Sequence, residues 1–201
     1  KVTVANFGQF SGHLLDDRHP SNPEFAEEYQ QWLHRQDIQG PDLVFVGAYK
    51  PAKRIEWLIE LSRKRPDWNI AIIAPSMKAP EFLPTNVFLH NTLEVHRELD
   101  SILRTDGVIG YLAHDNLSVP SGFHLYAGYS VPIVGNRIEP ICTMLTEWQC
   151  GALFSDLESL EAAVEHVRAR PKMKQNALRA SQALTWERSA HAHARVFGIF
   201  S

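Results

Sequence analysis

Leu43-Val44-Phe45-Val46-Gly47-Ala48-Tyr49-Lys50-Pro51-Ala52-Lys53-Arg54-Ile55-Glu56-Trp57-Leu58-Ile59-Glu60-Leu61-Ser62-Arg63-Lys64 begins as an unbroken apolar run and ends as an amphipathic stretch. The run 43–46 follows the Gly40-Pro41 break and stops at Gly47, the pattern of a strand buried on both faces of a parallel sheet. From Arg54 onward the period becomes helical. Ile55, Leu58, Ile59 and Ser62 share one face, whereas Glu56, Glu60, Arg63 and Lys64 lie largely elsewhere. A buried strand, a short loop and a helix that covers the sheet make the first half of a βαβ crossover.

The same alternation extends in both directions. Upstream, residues 2–5 read as a strand, residues 16–23 as a turn-rich loop and residues 24–36 as a helix. Downstream, apolar runs at 70–74, 87–89, 108–111, 132–134 and 152–154 read as further strands. Helices are expected at 93–103, 121–129 and 138–148, and another where Leu157, Leu160, Val164 and Val167 share a face; two more, at 172–184 and 187–197, make the C-terminus helical. Strand and helix alternating in this way imply right-handed crossovers, so the expected fold is α/β, a Rossmann-like mostly parallel sheet with helices on both faces and a helical C-terminus. Ligands of such sheets bind outside the carboxyl ends of the strands, which directs attention to the loops after Val46, Ala74, Leu89, Tyr111 and Val134.

Composition narrows the function classes. The chain has 201 residues, 44% of them hydrophobic and 21% charged, which suits one domain with a sizeable core rather than a disordered chain. A net charge of −3 supplies no broad cationic field for a nucleic-acid backbone, and no nucleic-acid partner is expected. The apolar runs at 42–47 and 69–74 are far below the roughly 20 residues that cross a bilayer. Cys142 and Cys150 have no CxxC or zinc spacing and read as structural thiols in a reducing, cytoplasmic compartment. The first residue is Lys1, so an upstream segment is expected. His191 and His193 are two apart rather than four and form no zinc pair, and adjacent His114 and Asp115 read as a hydrogen-bonded loop. The absence of G-x-S-x-G, Walker A and G-x-G-x-x-G sequences argues against hydrolase, P-loop and dinucleotide oxidoreductase readings.

Two segments carry candidate chemistry. After the first strand, Gly47 lets a ligand approach the backbone, and Lys53 and Arg54 stand where a helix is expected to start. Cations oppose the dipole there, so they call for an anion that helix N–H groups would share. The alternative for that cluster is a set of solvated surface cations. In the second segment, 116–134, Ser121 is expected as an N-cap and Gly122 leaves space above the first turn. The amides of Ser121, Gly122 and Phe123 are therefore expected to hold phosphate oxygens; a merely capped helix is the alternative.

Together these segments resemble the donor-binding domain of GT-B glycosyltransferases. Gly47 and Lys53 match a G-x5-K element, and Pro120, Phe123, Leu125, Tyr126 and Pro132 match the P-x-K-F-x-L-Y-L-A-A-G-x-P-V-V stretch of sugar transferases related to bacterial galactofuranosyl- and glucosyltransferases. The resemblance covers about residues 43–167 and implies a single nucleotide-sugar-binding domain over 1–201 that lacks the N-terminal acceptor domain. It implies transfer of a sugar, hexosyltransferase-like, from a nucleotide diphosphate sugar in polysaccharide or glycoconjugate synthesis. Gly47, Lys53, Arg54, Ser121, Gly122 and Phe123 would hold the diphosphate, and Ser76, His90, Asn91, Asn136 and Arg137 would line the nucleobase or sugar loops. No metal or other cofactor is implied. The partners would be the donor and an acceptor-binding domain or chain, with any peripheral association with the inner face of the membrane running through that missing half. The chain departs from the pattern at Ala48, where an Arg is common, at Gly122 in place of the P-x-K lysine, and at Tyr129-Ser130. It departs again at Leu117 and Leu125, which occupy both places of an E-x7-E motif, so ribose binding by that route is not expected. A noncatalytic binding or assembly module with a degenerate site is the alternative function, and an epimerase of related architecture a third.

Overall fold

The computed structural model describes residues 21–75, 77–91, 98–115, 120–185, 188, 191 and 194. In chain order the elements are α1 (Pro23–Gln36), β1 (Leu43–Val46), a 3-10 turn (Pro51–Lys53), α2 (Glu56–Lys64), β2 (Ile70–Ile73), β3 (Val87–His90), α3 (Leu99–Leu103) and β4 (Ile109–Leu112). They continue with α4 (Ser121–Gly128), β5 (Ile133–Asn136), α5 (Ile141–Trp148), β6 (Gly151–Phe154), α6 (Leu157–Arg168) and α7 (Lys172–Ala183). The expected strand at 2–5 and the beginning of the expected 93–103 helix lie outside the described residues, as does most of the expected 187–197 helix, of which the described residues 188, 191 and 194 are helical.

The strands form one sheet in the order β3-β2-β1-β4-β5-β6, and every pairing is parallel. Side chains alternate between its faces because successive residues of a strand point to opposite sides. Val44, Ala71, Ile73, Phe88 and Ile133 pack beneath α1, α3, α4, α5 and α7. Leu43, Phe45, Ile70, Ile72, Ile109, Tyr111 and Val134 pack beneath α2 and α6. Such two-sided burial accounts for strands that read as continuous apolar runs rather than alternating ones.

Local signals fix several helix ends. Asn22 caps α1 by accepting from the Phe25 amide, Pro23 opens the helix, and Asp37 closes it in a left-handed conformation. At α6, Asp156 and Ser159 form a reciprocal capping box. Near the amino ends of β1 and β2, the guanidinium groups of Arg65 and Arg168 both lie over the Trp68 ring, 4.0 and 4.3 Å from its centre. Arg168 in turn reaches Asp42 at 2.6 Å, so α6 is tied to the strand that precedes the site.

The parallel ladders are not equally long. β1 pairs with β2 at four positions, from Leu43↔Ile70 to Val46↔Ile73, but with β4 only at Leu43↔Ile109 and Val44↔Gly110. Beyond Val44 the two strands part, and the hydroxyl of Tyr126 from α4 enters the gap. It accepts from the Val46 N–H at 3.0 Å and donates to the Val44 carbonyl at 3.1 Å, with the Tyr111 carbonyl 3.3 Å away. The ring needs Gly110 below it, since a Cβ there would come within 2.6 Å of the tyrosine ring.

Candidate functional site

Sheet order reverses between β1 and β4, so helices leave these neighbouring strands on opposite faces and a crevice opens at their carboxyl ends. The parting of the two strands lies at this same place. Everything that follows β1 is arranged around it.

Gly47 ends β1 with a φ of +151°, and its N–H donates to the Ile73 carbonyl at 3.0 Å. Pro51 then starts a 3-10 turn, closed by the Lys53 N–H on the Lys50 carbonyl and the Arg54 N–H on the Pro51 carbonyl. The turn is held from below by fully buried Tyr111 of β4. Its hydroxyl lies 3.1 Å from the carbonyl oxygens of both Lys53 and Arg54. Half-buried Lys53 therefore folds back over Gly47: its Nζ would sit 3.1 Å from a Cβ added to that glycine, and 5.4 Å from the centre of the Phe45 ring. Burial, and then the charge of Lys50, hold the Lys53 ammonium below its ordinary pKa. Among the described residues no carboxylate pairs with Lys53.

The expected geometry of the basic pair is corrected by this turn. Lys53 and Arg54 do not open α2. Lys53 ends the 3-10 turn, Arg54 adopts a left-handed conformation at φ +49°, and α2 begins at Glu56. Proline at 51 nucleates a tight turn that the apolar period alone did not reveal. Arg54 is exposed and stacks on Trp57 at 4.6 Å.

Across the crevice, α4 starts directly above the end of β4, because a Cβ on Gly122 would be 3.1 Å from Leu112 Cδ1. Pro120, not Ser121, is the N-cap, and Ser121 is the first helical residue. The Phe123 N–H donates to the Pro120 carbonyl at 3.1 Å and its side chain is fully buried, so Phe123 offers no donor to a ligand. Ser121 and Gly122 keep N–H groups without partners among the described residues. They point along the positive end of the helix dipole.

The remaining candidates diverge in role. Asn136, the buried last residue of β5, accepts from the His114 N–H at 2.9 Å and donates to the His114 carbonyl at 2.7 Å. It clamps the loop after β4 rather than reaching outward. His114 thereby lies at the same edge as Lys53. Burial and the nearby Lys53 push its imidazole pKa down, Lys50 adds to this, and Asp115 opposes it. His90 ends β3 with its ring stacked against Phe88 and edge-on to Phe25, and Nδ1 is 2.9 Å from Glu28, so α1 engages that nitrogen. Asn91 follows β3 on the surface, and Arg137 is exposed after β5. Ser76 and Leu117 lie outside the described residues. Leu125 packs against the core, where a carboxylate would be costly.

Sequence reasoning did not identify Tyr111 or Asn136 as the braces of this site, nor His124 as a buried group. Tyr111 looked like any strand aromatic, and its polar use depends on contacts more than fifty positions away in the chain.

No family model matches the chain, and no curated protein matches it. Solved structures do. WaaG, a glycosyltransferase involved in lipopolysaccharide biosynthesis, superposes with a TM-score of 0.66 at 12% identity, over 98% of this chain and 56% of that one. HepE of Anabaena, solved in complex with UDP-glucose, gives 0.62 at 11% identity over 90% of this chain and 54% of its own. The chain thus spans about half the length of each. The C-terminal domain of a group 1 family glycosyl transferase, LpcC from Francisella tularensis, gives 0.52 at 12% identity over 82% of this chain and 92% of that domain. The fold is accordingly the one seen in GT-B glycosyltransferases, and the region of the Francisella protein on which this chain superposes is its C-terminal domain.

Proposed function

We propose that this chain is the donor-binding half of a glycosyltransferase that uses a nucleotide diphosphate sugar, with the diphosphate seated between Lys53 and the Ser121 and Gly122 amides. The observation that carries the reading is Lys53 itself: a half-buried cation at the mouth of the crevice with no carboxylate partner among the described residues. Buried charge without a partner is costly, and an anion that arrives with the substrate would supply one. Glycosyl transfer leaves negative charge on the departing diphosphate, which the lysine and helix amides would stabilise without a metal. HepE bound to UDP-glucose supports a nucleotide-sugar donor. The acceptor site and any general base belong, on this reading, to another domain or chain. Polysaccharide synthesis, hexosyl specificity and a cytoplasmic site at the inner membrane face remain part of the proposal; among the described residues no helix is long and apolar enough to cross a membrane.

The second reading, a binding module with a spent site, rests on Leu125 lying in the core at a place where the related motif carries Glu. Calorimetry with UDP and GDP separates the two. We expect one of them to bind, and Lys53→Ala to weaken binding about tenfold, the equivalent of about 1.4 kcal/mol. Absence of binding by every nucleoside diphosphate, or an unchanged Kd in a folded Lys53→Ala protein, would overturn the donor reading.

A further inference from the structure

The opposite edge of the sheet carries a second concave site that the crevice does not account for. It is a cavity of about 610 Å³ at the amino ends of β4 and β5, within the range of small-molecule pockets. Its floor is apolar, built on buried Val108, Val131 and Val167. Its rim holds four cations, Arg104, Arg168, Arg170 and Lys174, against a single lining carboxylate, Asp106.

These cations differ in how firmly they are engaged. Arg168 is committed to Asp42 at 2.6 Å and to the face of Trp68. Arg104 pairs with Asp100 of α3 at 2.6 Å and lies over the Tyr129 ring, yet its side chain remains 53% exposed. Among the described residues Lys174 is held only by Asp106, whose side chain is 96% exposed, and so open an ion pair holds a lysine weakly. Arg170 has no carboxylate partner among the described residues; its guanidinium donates to the His166 carbonyl at 3.3 Å. Two cations from the start of α7 and the turn before it are thus available above an apolar floor, with Arg104 on the α3 side.

We infer that this cavity binds an amphipathic anion, a phosphate monoester carrying an apolar chain or ring. Arg170 and Lys174 take the phosphate, Lys174 exchanging its exposed carboxylate for the ligand, and the apolar part covers the valines. A free metabolite and a phosphate-bearing lipid headgroup share this chemistry. Because the cavity opens at the other end of the strands, the inference is independent of the donor reading.

The test uses the full chain carrying Lys53→Ala, so that phosphate binding in the crevice is weakened and the effect of the cavity variants is read against it. Hexyl phosphate, inorganic phosphate and hexanol are titrated by calorimetry. Hexyl phosphate is expected to bind at least tenfold more tightly than either fragment, and Arg170→Ala with Lys174→Ala to weaken it at least tenfold. Lys172→Ala, an exposed neighbour that does not line the cavity, is expected to leave it unchanged. Equal binding of hexanol, survival of binding in the double variant, or no binding of hexyl phosphate overturns the inference. Sedimentation with phosphatidic acid vesicles, compared with phosphatidylcholine vesicles, then identifies the source. Capture sensitive to the double variant assigns a lipid, and its absence alongside hexyl phosphate binding assigns a soluble ligand.

Discussion

Tyr126→Phe is expected to lower the unfolding free energy by about 2–3 kcal/mol, although it removes a single oxygen atom. The hydroxyl stands in for a ladder rung where β1 and β4 separate, and it is fully buried with its ring. Its loss takes away one donor and one acceptor at once. The Val46 N–H and the Val44 carbonyl are then left in a place where strand pairing has already stopped and the phenyl ring excludes water. An orphaned buried donor costs more than an ordinary hydrogen bond contributes, so the expected loss sits above the usual value of about 1 kcal/mol for a deleted bond. Urea unfolding should show an earlier midpoint with an unchanged m-value, and the melting temperature should fall by roughly 5–10 °C. A change below about 0.5 kcal/mol would mean that the strands close on their own and that the hydroxyl is incidental.

The second large effect concerns acid. His124 of α4 is 7% exposed, its Nδ1 has no hydrogen-bond partner among the described residues, and burial lowers its pKa to about 4. An unfolded histidine titrates near 6.5, so between these values the unfolded chain takes up a proton that the folded chain refuses. Stability attributable to this residue is intact above about pH 6.5, declines as pH falls, and is fully lost below about pH 4. Each tenfold difference in proton affinity between the unfolded and folded chains is worth about 1.4 kcal/mol, so the loss comes to about 3 kcal/mol. Carboxylates held low by ion pairs, such as Asp67 and Glu161, also release stability in acid, so the informative quantity is a difference. Denaturation midpoints of the native protein and of His124→Leu should diverge steadily from pH 7.5 to 4.5, the variant losing less. Parallel curves would show that His124 takes up its proton as easily folded as unfolded.

Much of the fold could be read from the residues because a sheet covered on both faces demands consecutive apolar residues. A four-residue run such as Ile70–Ile73, confined between Pro66 and Pro75, is too short for a helix and too apolar for a loop. The site was legible where chemistry is local. Gly47 and Lys53 announce themselves by type and spacing, and the structure brings Lys53 back across Gly47. It was misread where one proline redirects the chain, turning an expected helix start at Lys53 into a 3-10 turn, and where Pro120 rather than Ser121 took the cap. It was illegible where the contacts are distant. Nothing in the pattern around Tyr126 states that its oxygen will meet Val46, eighty positions earlier, or that one of ten histidines is sealed from water.

The grip of Tyr111 on the turn after β1 has a bearing on how such a protein changes over time. The phenol holds main-chain oxygens, which every amino acid carries, so the course of the loop does not depend on the side chain at 53. Replacing it alters what the loop attracts and leaves its path alone. Recognition and architecture are thereby uncoupled at this turn, and what the loop attracts can be retuned or lost by a single substitution while the backbone keeps its course.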